Sequence, residues 1–388
     1  MSKRILILVG IPDFDYSNEQ SAVLSFLKTI KVAFEAEGNK VEFAGSTEKD
    51  RSYNQALNST GGFKSKLKSI LKKWSWLYQT IAYRSYFKRQ NGLLKSLLNK
   101  EPFDQVVEFH TVGSSVGQKL AEKWNCNFSV VFDSPVEEQF YEMHGTRTAF
   151  WFRILKSEKK TMEAANKIMV YSHSCENHLR KKYAIKGSVE VLPCVVGKKN
   201  VTNNPTNDLF RIGFIGSFLS WHKVDLLVTV FQRFHLKNPQ SKLQLIGFGV
   251  EWERIKEMVN DLSLADHVEL PGFVSEKELL DFKKGFTVAL MPGSNWYGSP
   301  LKLFEYAQSE IPFIAPTTET VSSIFKDKVH CLFIDPKKEE DSLLEMLTFL
   351  LENPLERREI AQRANQFVKE NFEDRVYAKK LVEVLMVK

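Results

Sequence analysis

The chain has 388 residues, 43% hydrophobic and 26% charged, which excludes a disordered or fibrous protein and leaves room for two or three domains. No apolar run reaches the ~18–20 residues of a membrane-spanning helix, and the run Ile5–Val9 is too short for a signal peptide. The net charge of +7 is local: residues 62–100 hold ten Lys/Arg and no Asp/Glu, so the remainder nets −3, which argues against the broad basic face of a nucleic-acid binder.

In chain order, an apolar run at 4–9 predicts a strand closed by Gly10-Ile11-Pro12. Helical spacing of Val23, Phe26, Leu27, Ile30 and Phe34 predicts a helix over 18–37, stopping near Gly38, before a strand at 40–44. In the basic segment, Leu67, Ile70, Leu71, Trp74, Leu77 and Ile81 recur at three- and four-residue steps. They predict a helical stripe, with Lys64, Lys66, Lys68, Lys72 and Lys73 around its start and Tyr78, Tyr83, Tyr86 and Phe87 beyond. That pattern suits a helix lying in an anionic membrane interface; a helix packed on its own sheet with a solvated lysine face gives the same pattern.

Strands at 105–109, 128–132, 167–171 and 189–192 alternate with helices at 116–124, one ending at 162–165, and 174–183. The polar stretch 197–207, with Pro205, reads as a linker. A second set of strands follows at 210–215, 242–246, 267–269, 287–291, 312–315 and 331–334, and 354–386 is largely helical. Alternating strands and helices predict parallel sheets covered on both faces. The four cysteines, Cys126, Cys175, Cys194 and Cys331, have no metal-type spacing, so neither a zinc site nor a disulfide scaffold is expected, and a reducing cytoplasm is.

The chemistry concentrates in Ser299-Pro300-Leu301-Lys302-Leu303-Phe304-Glu305-Tyr306-Ala307, after the strand at 287–291 and a Gly/Ser/Asn loop. Such a loop lies at the carboxyl end of a parallel strand, where α/β sheets place ligands. Lys302 and Glu305 share a helix face: a lysine there suits a phosphate and a carboxylate suits the two hydroxyls of a ribose, although an ordinary surface ion pair has the same spacing. Gly216, after the strand at 210–215, opens a loop whose backbone N–H groups could meet a diphosphate, with His222 and Lys223 adding positive charge and His222 making it pH-sensitive.

This motif, with Ile311–Pro316 after it, resembles the donor site of the retaining GT-B glycosyltransferases of family 4, the glycosyl transferases group 1. The segments Arg211–Leu227, Lys242–Gly249 and Val268–Val274 resemble the same family, and the likeness is clear over about 205–375. The resemblance implies a GT-B α/β fold of two Rossmann-like domains facing across a cleft. The expected boundaries are 1–198 for an acceptor domain and 207–373 for a nucleotide-sugar domain, with the helix at 374–388 packing back on the first. It further implies that Glu305 holds the ribose, that Lys302 and Lys223 neutralise phosphate, and that Phe273 and Val274 frame the base. Gly216, Ser217, His222, Gly247, Ser299, Pro300 and Leu301 complete the donor site, and His110 contacts the sugar.

Three positions depart from the family pattern: Ser217 stands where an arginine is common, His222 where a lysine is, and Tyr297 where the first of two glutamates is. Backbone N–H groups of 294–298 could then supply the sugar contacts. Asp133-Ser134-Pro135 either lines the acceptor side or is only a turn before proline, His173 is a weaker candidate for the cleft, and Ser172 or Ser174 is an N-cap. Asp13-Phe14-Asp15 has metal-type spacing but lies in the first loop; no metal and no cofactor are expected beyond the nucleotide-diphosphate sugar donor. The expected partners are that donor, a glycan or lipid-linked acceptor and an anionic membrane surface at 62–100, with no nucleic acid. The expected place of work is the cytoplasmic face of the cell membrane, in cell-surface polysaccharide assembly. A catalytically silent binding partner of another transferase and a nucleotide-sugar epimerase are the alternatives.

Overall fold

The computed structural model describes residues 2–9, 22–45, 75–195, 203, 205 and 209–387. It divides into two compact units, Met1–Leu192 with Ala378–Lys388, and Pro193–Tyr377. The first unit carries β1 (Arg4–Val9), α1 (Ala22–Ala36), β2 (Lys40–Ala44), α2 (Ser75–Leu98), β3 (Gln105–His110), α3 (Val116–Trp124), β4 (Asn127–Phe132), α4 (Val136–His144), α5 (Trp151–Ala164), β5 (Lys167–Val170), α6 (His173–Lys182) and β6 (Ser188–Val191). Its strands are all parallel, in the order β2-β1-β3-β4-β5-β6. All six residues of β3 are buried, as expected of a central strand covered on both faces.

The second unit carries β7 (Phe210–Ile215), α7 (Val224–Lys237), β8 (Ser241–Ile246), α8 (Trp252–Asp261), β9 (Val268–Gly272), α9 (Glu276–Gly285), β10 (Val288–Leu290), α10 (Leu301–Gln308), β11 (Phe313–Pro316), α11 (Glu319–Ser322), β12 (Leu332–Ile334), α12 (Glu339–Glu352) and α13 (Pro354–Phe372), and the boundary with the first unit falls in the first third of α14 (Asp374–Leu385), between Tyr377 and Ala378. The sheet order is β12-β11-β10-β7-β8-β9, again all parallel. Counted from β7 as strand one, this is 3-2-1-4-5-6 read backwards, the dinucleotide-binding order, which reverses between β7 and β10. The α7 face of Leu227, Val228, Phe231 and Phe234 is fully buried on this sheet, and each such side chain contributes about 1.5–3 kcal/mol.

The end of α14 is tied to the first sheet. Helices leave their last carbonyls without partners; here the Leu385 carbonyl accepts from Gln105 Nε2 at 2.7 Å and Ser129 Oγ at 2.6 Å.

The described part of the basic segment follows the second of its two readings, a helix packed on its own unit, except at Ile81. Residues 62–74, with the lysines at 64, 66, 68, 72 and 73 and the stripe residues Leu67, Ile70, Leu71 and Trp74, lie outside the described residues. In α2 the buried side chains are Gln79, Tyr83, Tyr86, Phe87, Gln90 and Leu97, while Ile81 is exposed. Tyr83, Tyr86 and Phe87 pack into a core with Val112, Val136, Phe140, Trp151 and Ile154. These aromatics therefore hold a helix on its own unit, and the basic side chains of Arg84, Lys88 and Lys95 take the exposed face. Among the described residues no helix is long and apolar enough to cross a membrane.

Candidate functional site

Three loops of the second unit meet at the carboxyl ends of β7, β8 and β10, beside the point where the strand order reverses. After β7 come Gly216, a 3-10 turn at Ser220–His222, and Lys223 in a left-handed conformation (φ 49°) that starts α7. The loops approach backbone to backbone. A Cβ on Gly247 (φ 131°) would lie 2.0 Å from the Gly216 carbonyl oxygen, and one on Gly216 would lie 2.6 Å from Lys302 Nζ. Only glycine permits both approaches. Gly247→Ala is therefore expected to lower the unfolding free energy by about 3 kcal/mol, from a forced loop shift plus backbone strain; urea denaturation measures it.

Lys302, in the first turn of α10, reaches under Gly216. Its Nζ sits 4.7 Å from the centre of the Phe214 ring and donates to His222 Nε2 at 3.1 Å. The Nδ1–H of His222 donates to the Ser217 carbonyl at 2.6 Å. A carbonyl only accepts, so this tautomer leaves Nε2 as the acceptor for lysine. Burial, reinforced by the Lys302 charge, pushes His222 down to about 3, and burial brings Lys302 down to about 7 against a smaller opposing pull from Glu305. The expected positive charge of His222 is thus absent, and His222 is no switch near neutral pH. Lys223, the other expected cation, is ion-paired with Glu339.

Glu305 is held from an unexpected direction. Lys283 Nζ, at the end of α9, donates to Glu305 Oε2 at 2.6 Å, with side-chain exposures of 3% and 11%. Sequence reading missed Lys283, although it shares a helical phase with Leu279 and Leu280 and so falls on the buried side of α9, whereas Lys284 pairs with Asp281 on the surface. On the neighbouring edge, Phe273 is 83% exposed and its ring lies 5.7 Å from that of Phe248, 44% exposed. Two exposed aromatics in contact at a ligand end form an apolar platform; Val274 beside them is partly buried.

Ser299 Oγ donates to the Cys194 carbonyl at 2.8 Å, Pro300 is the N-cap of α10, and Leu301 N–H donates to the Ser299 carbonyl. Tyr297 is buried, 4% exposed, against Trp296. The Gly298 N–H already donates to Asn295 Oδ1 at 2.6 Å, which removes it from the backbone donors expected for a sugar.

In the first unit, His110 ends β3 fully buried rather than open at a sheet edge. Its Nδ1 lies 3.2 Å from Glu108 Oε1, the other Glu108 oxygen accepts from Gly117 N–H at 2.8 Å, and His110 Nε2 has no hydrogen-bond partner among the described residues. Asp133 ends β4, where burial pushes its carboxyl up to about 6 despite the Tyr171 hydroxyl 3.3 Å away. Ser134 is buried, Pro135 leads into α4, and His173 is exposed beside Glu176. Ser172 is the N-cap of α6, accepting from Cys175 N–H. Asp13 and Asp15 lie outside the described residues, among which no three His, Cys, Asp or Glu gather as metal ligands would.

Residues 198–367 match the family described as Glycosyl transferases group 1. No curated protein matches the sequence. Solved structures do. TarM has a TM-score of 0.73 at 13% identity, covering 100% of this chain and 99% of that one. Sucrose-phosphate synthase from Thermosynechococcus elongatus has 0.70 at 17%, covering 98% of both. HepE from Anabaena, solved with UDP, has 0.67 at 12%, again covering 98% of both. Residues 198–367 of the second unit are thus similar to the group 1 glycosyltransferases, and the architecture shared over the whole chain is the GT-B fold.

Proposed function

We propose that the protein transfers a sugar from a nucleotide-diphosphate donor to a glycan or lipid-linked acceptor in cell-surface polysaccharide assembly, with retention at the anomeric carbon. The observation that carries this reading is the set of three loops at the strand-order reversal, where Lys302, Glu305 and an aromatic platform converge on one end of the sheet. The parts suit the pieces of a nucleotide sugar. The Phe248–Phe273 platform takes the base, the Lys283-anchored carboxylate of Glu305 takes the ribose hydroxyls, and Lys302 with the Gly216 loop takes the diphosphate. A cation held beside the leaving diphosphate stabilises the charge that develops as the glycosidic bond breaks. No protein nucleophile is assigned, and attack on the face the diphosphate leaves follows the family resemblance. HepE has been solved with UDP-glucose, which supports a donor of this class. WaaB, a lipopolysaccharide outer core galactosyltransferase with a TM-score of 0.62 at 14% identity over 98% of both chains, supports a cell-surface role.

His110 enters through the resemblance, its unpartnered Nε2 left for a sugar hydroxyl. Lys223 would need to leave Glu339 to reach a phosphate, so Lys302 is the principal phosphate ligand. Association with the inner face of the membrane rests on the basic segment 62–100.

The test is release of nucleoside diphosphate from a panel of nucleotide sugars. At least one donor is expected to turn over and to raise the melting temperature by mass action, and Glu305→Ala to reduce that turnover by about a hundredfold or more. A panel in which no donor turns over or stabilises the protein sinks the proposal, as does full turnover by Glu305→Ala. The anomeric configuration of the product, read by NMR, decides retention.

A further inference from the structure

The first unit carries a second cationic site, whose cations stand on α3 and α5, outside the basic segment 62–100. Arg153, Lys156 and Lys160 follow one another at three- and four-residue steps along α5, and together with Lys119 of α3 they line one groove. The groove is open to solvent on one side and has a volume of about 210 Å³, more than a lone phosphate fills. None of these four cations makes an ion pair among the described residues, and Glu122 is the only carboxylate lining the groove there. Burial, and then repulsion from Arg153 and Lys160, holds the Lys119 amine below its ordinary range. Like charges crowded without partners are a cost that a bound anion removes.

Two further features point to a ligand. The Arg153 guanidinium lies 3.9 Å from the centre of the Phe87 ring. Stacking fixes its plane and leaves its N–H edge for an oxyanion, which such a fork grips in paired hydrogen bonds. Gln118 lines the same groove, and its side-chain amide offers a neutral N–H donor beside the cations.

We propose that this groove binds a phosphoryl oxyanion of about diphosphate size, carried on a lipid or on a water-soluble molecule. The phosphoryl group would belong to the acceptor of the proposed transfer, a clause that rests on that reading; the site itself does not.

The test titrates inorganic pyrophosphate into the full chain by calorimetry. The donor loops bind diphosphate too, so Lys302→Met serves as the background. In that background pyrophosphate binding is expected to persist, and adding Arg153→Gln with Lys156→Gln to weaken it about tenfold or more. Both side chains are exposed, and an unchanged melting temperature without ligand confirms folding. Undiminished pyrophosphate binding after the added pair overturns the proposal. So does a pyrophosphate-induced melting shift that sodium chloride of equal ionic strength reproduces. Co-sedimentation with phosphatidylcholine vesicles containing phosphatidic acid separates the sources: parallel loss of vesicle binding in the groove variant assigns the anion to a lipid, and loss of pyrophosphate binding alone assigns it to a soluble molecule. Diphosphate release from a donor that persists and still depends on Glu305 when Arg153→Gln and Lys156→Gln stand in a chain with Lys302 intact shows the two sites to be separate.

Discussion

Lys283→Met is expected to destabilise the second unit by about 3–5 kcal/mol, the usual penalty for leaving one partner of a buried ion pair without the other. The pair is short, 2.6 Å, and nearly enclosed, with side-chain exposures of 3% for Lys283 and 11% for Glu305. Methionine keeps most of the lysine volume, so packing is largely preserved and the loss reports the uncompensated carboxylate. Urea denaturation at pH 8 checks the size. The double variant Lys283→Met with Glu305→Leu is expected to recover most of the lost stability, since an apolar pair of similar volume replaces the ions without stranding either. It is also expected to lack donor turnover, because the ribose ligand is gone. Recovery of stability without recovery of turnover separates the two roles of Glu305: partner of Lys283 and contact to substrate. A Lys283→Met protein as stable as the wild type at pH 8 contradicts the pair.

The sheets were legible because their signals are local. A strand buried on both faces reads as a continuous apolar run, as at Ile5–Val9, and the nine residues from Ser299 carry the turn, the helix start and both charged groups together. What stayed hidden depends on partners far along the chain. Nothing near His222 announces that the fold buries it and that Lys302, eighty residues later, donates to it, which together keep it neutral. Lys283 and Lys284 are alike in composition, and only the phase of α9 against its sheet buries one of them. The buried face of α2 was hidden in the same way. The apolar positions up to Ile81 suggested one stripe, but the aromatics at 83, 86 and 87 set the buried face and turn Ile81 to the surface. The cations of the α3–α5 groove escaped for a related reason: Arg153, Lys156 and Lys160 read as an ordinary solvated face until the fold brings Lys119 and the Phe87 ring to them.

Affinity for a nucleoside diphosphate is expected to fall about tenfold for each pH unit above about 7, and Lys302→Met is expected to abolish that slope while weakening binding at pH 6. The cause is the lysine amine, brought by burial from 10.5 to about 7. Below 7 it is already charged and meets the diphosphate as it is. Above 7 the free protein holds it neutral, and the bound anion, which favours the charged form, must draw a proton from solution. Binding at pH 8 is therefore accompanied by proton uptake, which calorimetry in buffers of different ionisation enthalpy counts directly. His222 does not contribute to the slope, since it is neutral throughout this range with its titration near 3. A loss of affinity from unfolding would look similar, but the stability effect of the same lysine has the opposite sign. Between about 7 and 10.5 the unfolded chain binds more protons at this position than the folded one, so folding is favoured as pH rises. A protein that holds its nucleotide less tightly at pH 9 than at pH 7, while this lysine makes it no less stable, places the titrating charge in the site. Affinity independent of pH between 6 and 9 would mean that Lys302 does not meet the diphosphate.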